Sequence, residues 1–392
     1  MDPSQNEPEI PMSDVFRDVP LFREIQRVLL SSTGPVNWEL ARQVGIATAA
    51  WGGDQPLPTA EDQRGLAETV RAAELAVAAF TGMPPPFDVT EVNAVGRGQW
   101  VEANVRGLRD LLNPIGQKLA STMSAAGGDV PSPALGGGDF MEVVMQRVAP
   151  LLLGVQVGAV LGYLGQRVLG QFDLAVPRPG GALYFVIPNI AGFERDWSLP
   201  AVDFRAWIAV HEVTHRFEFA RPWVRDHFLA LVRDLVEHAE LDMAGLEQRL
   251  EGLDLSNPEA LTEAFEGVGN MFGQASSSEQ RLRIARVQAF MAAAEGYGEH
   301  VTERVGREML SSFRQIEEAV RRHREGGPGD RALERLLGLE MKLEQYQLGR
   351  EFCARVAELT DEATLARMWE SPEALPSMPE FEEPTLWLAR MA

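Results

Sequence analysis

The segment DFRAWIAVHEVTHRFEF at 203–219 constrains the fold most, because it embeds two histidines and a glutamate in apolar residues. Such a helix is expected to be buried, and its polar side chains then need partners. On an α-helix, His211 and His215 lie about 40° apart and roughly 6 Å along the axis, so both imidazoles can reach one tetrahedral ion. Glu212 is turned by about 100° from His211 and can reach a metal-activated water without binding the metal. The segment predicts a Zn²⁺ site with Glu212 as general base.

A catalytic zinc needs a third protein ligand and an open position for water. The extension H-x-x-G-x-x-H fails here, because Glu218 and Arg221 stand where glycine and histidine are required. The best candidate is Glu295, in the downstream sequence EGYGEHV, which lies in a helical context of small residues. We interpret Arg216, directly after the second histidine, as a cation that extends from the helix edge to solvent.

The other residues of EGYGEHV leave alternatives open. Glu299 is the second candidate for the third ligand and His300 the third, and the glutamate that does not bind metal can orient an imidazole N–H. Tyr297 and His300 are also candidate donors to a developing oxyanion. Gly296 and Gly298 permit a close approach of this helix to the helix that carries the two histidines.

Charge and cysteine content limit the partners of the chain. The 392 residues contain 36 Lys and Arg against 57 Asp and Glu, a net charge of −21. Such a charge repels phosphate backbones and anionic headgroups, so we expect neither nucleic acid nor membranes as partners. The single cysteine, Cys353, excludes an internal disulfide and a cysteine-based zinc site. The acidic N-terminus has no signal-peptide pattern, and we expect a cytoplasmic protein.

The pattern of elements predicts a mostly α fold with a minor β element. The clearest strand is GALYFVIPNI at 181–190, where Pro188 favours an edge position. An edge strand near the metal site would let a peptide substrate pair with it. The proline-rich tail at 371–392 is expected to be extended. Helices are predicted at 60–81, 98–124, 139–170, 201–219, 223–239, 258–267, 278–325 and 331–358, with Asn37 capping an earlier helix and a capping box at Ser276 and Glu279.

The glycine- and proline-rich stretch at 126–138 is the best candidate for a linker. It either separates a helical N-terminal region, 1–125, from a catalytic region, 139–392, that ends in the proline-rich tail, or it is a loop inside one domain. The most apolar stretch, 149–165, carries glycines at four-residue spacing, which lets helices approach closely. We interpret it as a core helix rather than a membrane span, because it is short and contains Pro150 and Gln156.

Several stretches together resemble the zincin-like metallopeptidase type 2 family, in matching order and spacing across nearly the whole chain. They are GPVNWELARQV at 34–44, VLGQFDLAVP at 168–177, LYFVIPNI at 183–190, AWIAVHEVTHRFEF at 206–219, EGYGEHV at 295–301, LLGLEMKLEQYQLGREFCARV at 336–356 and WESPEALPSMPEFEEPTLWLAR at 369–390. The members are proposed bacterial hydrolases, and a subset is associated with deazaflavin-coenzyme biosynthesis by genomic company. The resemblance implies a zinc-dependent, mostly helical zincin-like core, with an HExxH helix and a downstream helix that carries a glutamate.

The segment EGYGEHV is also similar to a segment of gluzincin aminopeptidases in which the first glutamate binds zinc, and this resemblance implies the same role for Glu295. The 79 residues between His215 and Glu295 depart from that family's spacing. The substrate-anchoring sequence of those enzymes is missing, so their specificity is not implied.

Three functions remain open from the sequence. The first is a zinc metallopeptidase in which His211, His215 and Glu295 hold the ion, with a peptide or small amide as substrate. The second is a scaffold with a structural zinc or an inactive site. The third is hydrolysis of a non-peptide amide or ester in cofactor metabolism, which a narrow closed pocket would favour. The sequence determines neither the substrate nor the oligomeric state.

Overall fold

The computed structural model describes residues 34–51, 55–88, 90–126, 137–170, 181–238, 277–326 and 343–392. Over these residues the chain is mostly helical with one small sheet, as the sequence predicts. The elements are α1 Trp38–Ala49, α2 Ala60–Thr81, β1 Val92–Val95, α3 Arg97–Ala126, α4 Gly137–Gly165, β2 Leu183–Val186, α5 Ile187–Asp196, α6 Ala201–Phe219 and α7 Val224–Glu237. They continue with α8 Ser278–Met309, α9 Phe313–Gly326, α10 Leu343–Leu359, α11 Glu362–Ala366, α12 Met378–Glu382 and α13 Pro384–Met391.

Local capping explains where the N-terminal helices begin and end. The side chain of Asn37 accepts a hydrogen bond from the Leu40 backbone N–H and starts α1, as predicted. Helix α2 has the predicted bounds, because Thr59 forms a capping box with Asp62 at its start. Gly82 ends the same helix at φ 65°, a conformation that glycine adopts without strain.

The long C-terminal helix prediction is wrong in two details. The predicted helix 278–325 is interrupted at Leu310, whose extended backbone separates α8 from α9. The N-cap of α8 is Ser277, whose side chain accepts from the Gln280 N–H, so the predicted capping box was one residue too early. The predicted helix 258–267 and the first part of 331–358 lie outside the described residues, as does most of the predicted linker 126–138.

The sheet pairs β2 with β1, a strand that sequence reasoning missed. The two run parallel, with Val92 opposite Leu183 and Val95 opposite Val186. Strand β2 is shorter than predicted, because Pro188 lies in the first turn of α5, where a missing N–H costs nothing. Other parts of the chain already occupy parts of both edges. The Gln63 side-chain amide donates to Val92 O and accepts from the Ala94 N–H, and the Val186 N–H donates to the backbone oxygen of Leu169.

The glycine row of α4 packs against α1, which confirms the interpretation as a core helix. A Cβ on Gly158 would lie 2.5 Å from the backbone oxygen of Ala41, and one on Gly154 would lie 2.6 Å from that of Asn37. Gly162 faces Thr48 and Gly45 in the same way. Within the described residues, no helix is long and apolar enough to cross a membrane.

The C-terminal tail is folded, so the prediction of an extended tail is wrong. Its prolines occupy the first turns of short helices, which tolerate a missing N–H. The fully buried Trp387 donates its indole N–H to Ala374 O at 2.7 Å, and Arg390 pairs with Glu380 at 2.7 Å. These contacts hold the tail together, and the rings of Phe381 and Trp387 pack on Phe352 of α10, whose Cys353 is buried as predicted.

Candidate metal centre

Helix α6 passes through the interior of the molecule and positions the two histidines. It packs against α2 and α8, so N-terminal and C-terminal elements enclose it together. From Ile208 to Glu218 every residue of α6 is buried. A helix is suited to this position because it satisfies its own backbone hydrogen bonds in an apolar environment.

The structure brings His211, His215 and Glu295 together. The Nε2 atoms of the two imidazoles lie 3.3 Å apart. One nitrogen from each histidine and a carboxylate oxygen of Glu295 all lie within 4.8 Å of one another. Two residues of α6 and one of α8 therefore present a donor set that can hold a metal ion.

The remaining nitrogens of the two imidazoles have different partners. His215 Nδ1 lies 2.8 Å from Glu218 Oε2, and His211 Nδ1 lies 3.4 Å from Thr302 Oγ1. The Thr302 hydroxyl donates to Gly298 O at 2.7 Å, so it accepts from His211. Each Nδ1 is thus engaged by an acceptor, which leaves each Nε2 as the nitrogen directed toward the position where a metal would bind.

The side chains of Glu218 and His215 are in contact and are both fully buried. Burial alone lowers the pKa of His215, but the adjacent Glu218 carboxylate reverses this and raises the pKa to about 9. Burial raises the pKa of Glu218 to about 7, against the opposing effect of His215. Glu212 and Glu295 also favour positive charge on His215. The site is thus rich in negative charge and suits a cation.

Two glycines make room for the reactive side chains. A Cβ on Gly298 would lie 2.7 Å from His215 Cε1, so only glycine admits the imidazole there. A Cβ on Gly170 would overlap the carboxylate of Glu212, which is fully buried. Gly296 instead packs against Gly349 of α10, so its predicted role in approaching the histidine helix is wrong.

The other predicted residues of α8 are not members of the three-residue group. His300 Nε2 is 3.0 Å from Glu362 Oε2, on α11. The Tyr297 hydroxyl donates to Met83 Sδ at 3.3 Å, and its ring packs against Trp369. Glu299 is one turn beyond Glu295 and is not part of the group. The roles suggested for these residues remain predictions.

Sequence reasoning missed Glu218 and Thr302, which contact the imidazoles. Their spacing contains a signal: Glu218 is three residues after His215, and Thr302 is seven residues after Glu295. Residues three and seven apart share a helix face, so both could have been found by extending the periodicity from the ligands.

The interpretation of Arg216 as a solvent-reaching cation is wrong. Its side chain is only 3% exposed and pairs with Glu74 at 3.2 Å and Asp88 at 2.9 Å. Its Nε also donates to Gly181 O. Because Glu74 is on α2 and Asp88 follows it, this cation joins the histidine helix to the N-terminal part of the fold.

Partly exposed aromatic rings flank the two histidines along α6. Trp207 stacks on His211 with ring centroids 6.0 Å apart, and Phe219 lies 6.3 Å from His215. The four residues follow each other at intervals of four, so they lie along one side of the helix. The metal group therefore has apolar surface on both sides.

Comparisons with known proteins identify similarity over most of the chain. A family model described as a zincin-like metallopeptidase matches residues 36–388. The chain is 35% identical to "a putative hydrolase with a novel fold" from Chloroflexus aurantiacus, whose crystal structure superposes with a TM-score of 0.64. The match covers 91% of this chain and 98% of that one. No curated protein matches the chain.

Proposed function

The chain belongs to the zincin-like metallopeptidase family, and on that basis we propose that it is a zinc-dependent hydrolase of peptide bonds. The observation that carries the proposal is the convergence of His211, His215 and Glu295, with Glu212 beside them on α6. The structural neighbour from Chloroflexus aurantiacus, described as a hydrolase, supports the same reaction class.

The donor set fits zinc. Two imidazoles and one carboxylate form a ligand set typical of catalytic zinc, which leaves one position open. Both imidazoles present Nε2 on the same side, because acceptors hold their Nδ1 atoms. Buried carboxylates are costly without positive charge, and Glu212 and Glu218 are both fully buried here. A divalent cation would offset that cost.

Different residues of this chain have different roles in the proposed hydrolysis. His211, His215 and Glu295 would hold zinc, which when bound lowers the pKa of water and polarises the scissile carbonyl. Glu212 takes a proton from the attacking water and delivers it to the leaving amine. Gly170 closes over the Glu212 carboxylate and excludes bulk solvent from it. The rings of Trp207 and Phe219 offer apolar surface to substrate groups on both sides.

The proposal is tested by metal analysis of the purified protein together with a Glu212→Gln variant. We expect about one zinc per chain in both proteins and loss of at least 10²-fold in hydrolysis for the variant. Absence of zinc from the protein after reloading contradicts the proposal. Zinc with no hydrolysis of any amide tested would favour a non-enzymatic scaffold.

A second candidate is hydrolysis of a small amide or ester, and the burial of the site favours it. Glu212 and His215 are fully buried and His211 is 6% exposed, so a bulky chain has little direct access to them. Parallel assays with denatured protein chains and with small N-acyl amino acids distinguish the two candidates. Cleavage of the small amides alone would replace the peptidase assignment while keeping zinc and Glu212 in their roles.

A further inference from the structure

The two imidazoles of the metal group are held by unequal acceptors. Glu218 contacts His215 as a carboxylate at 2.8 Å, and Thr302 contacts His211 as a hydroxyl at 3.4 Å. Hydrogen bonds to an ionised acceptor are shorter and roughly twice as strong as those between neutral groups. His215 therefore has the stronger hydrogen bond of the two histidines.

Helix packing alone gives no reason for a carboxylate at position 218. Glu218 is fully buried, and its Oε1 has no hydrogen-bond partner among the described residues. Its neighbours along α6, Phe217 and Phe219, are aromatic. Burying a carboxylate is unfavourable, and an apolar residue in its place would serve the core at least as well. A function in holding His215 accounts for its presence.

Thr302 holds His211 from the facing helix. It lies on the face of α8 that carries Glu295, seven residues further along, so one helix supplies both a ligand and the support of another ligand. Its proton is used in the bond to Gly298 O, which leaves its oxygen to accept from His211. Both supports therefore select the same tautomer, with Nε2 available.

Resting on the proposed zinc function, we propose that Glu218 and Thr302 are positioning residues that fix His215 and His211 for metal binding. Neither touches the ion or the substrate. Glu218 contributes more to metal affinity than Thr302 does, because it is the charged and closer acceptor. Partners of metal-bound histidines typically contribute 10–100-fold to metal affinity.

The pair of His300 and Glu362 offers a matched control. Its Nε2 to carboxylate distance is 3.0 Å, and the His300 side chain is 6% exposed, but neither residue belongs to the metal group. Glu362→Gln removes the same kind of His–Glu contact, here between α8 and α11. It should lower stability without changing metal affinity.

The test measures zinc affinity by competition with a chromophoric chelator at fixed pH, together with the visible spectrum of the Co²⁺-loaded protein. Glu218→Ala should weaken zinc binding by about 100-fold and Glu218→Gln by about 10-fold, since the amide oxygen can still accept. Thr302→Val should weaken it by a few-fold, and Thr302→Ser should restore it. The cobalt bands should shift in both Glu218 variants and remain unchanged in Glu362→Gln.

The outcomes separate this proposal from the proposed function. Absence of zinc binding in the wild type overturns both. A wild type that binds zinc, with Glu218 variants that bind it within twofold and show an unchanged cobalt spectrum, overturns the positioning role alone. Equal losses in Glu218→Gln and Glu362→Gln would also overturn it, because they would indicate a general effect of stability. If Glu218→Ala does not fold, Glu218→Gln decides.

Discussion

Among the described helix contacts made through glycines, those of α1 with α4 and of α6 with α8 have different consequences. Between α1 and α4, glycines at four-residue spacing bring backbone against backbone, and the nearest atoms to the described glycines belong to no titratable side chain. Between α6 and α8, Gly298 makes room for the imidazole of His215 instead. The same residue type thus serves packing in one region and admits a reactive side chain in the other. Substitutions at the two places should therefore affect different measurements.

Of the glycine substitutions, the one at the α1–α4 contact should have the largest effect on stability. In Gly158→Ala the new methyl group would meet Ala41 O at 2.5 Å, a backbone atom that cannot rotate away. We expect a loss of about 3 kcal/mol in the free energy of unfolding, measured in urea. Gly65→Ala is the control, since nothing lies within 4 Å of the added Cβ and alanine favours a helix. Equal stabilities of the two variants would contradict the close α1–α4 contact.

Removal of the metal should weaken the contact between α6 and α8 and so lower the stability of the fold. With zinc at about 1,000 times its dissociation constant, binding should stabilise the fold by roughly 4 kcal/mol, and a chelator should remove that stabilisation. Thermal unfolding with chelator and after zinc is restored measures the difference. His211→Ala should show no dependence on zinc. A melting temperature that is the same with and without zinc would mean that no ion joins α6 to α8.

Gly298→Ala should separate metal binding from stability. The added Cβ would lie 2.7 Å from Cε1 of His215, which is fully buried and has Glu218 on its other ring nitrogen. We expect about a 100-fold loss of zinc affinity, since the ring must leave its position. The metal-free protein should lose less stability than Gly158→Ala does. The opposite order of the two stability losses would contradict the comparison.

The contrast also explains what the sequence could predict. The glycine row of α4 and the histidine pair of α6 both follow helical spacing, so local periodicity was enough to find them. Local periodicity was not enough for the complete site, because 79 residues lie between His215 and Glu295 and only the packing of α8 on α6 brings them together. Strand β1 and the ion pairs of Arg216 likewise depend on long-range contacts that no local pattern contains.

The C-terminal tail also shows that a local sequence pattern is not enough to predict structure. Prolines at 372, 379 and 384 indicated an extended chain, but proline also suits the first turn of a helix. The two readings differ only in whether the following residues have something to pack against. The buried Trp387 supplies that contact against α10, and a local pattern does not reveal it.

The closest comparison is between the two glutamates one turn apart on α8, of which one is expected to have almost no effect. Glu295→Gln should lower zinc affinity by more than 100-fold, because it removes the charged ligand that lies with the two imidazoles. Glu299→Gln should change it less than twofold, since that residue is outside the group. The pair is matched in helix, residue type and substitution, so chelator competition on both variants compares position alone. A larger loss at Glu299 would mean that Glu299, one turn further along α8, is the metal ligand instead of Glu295.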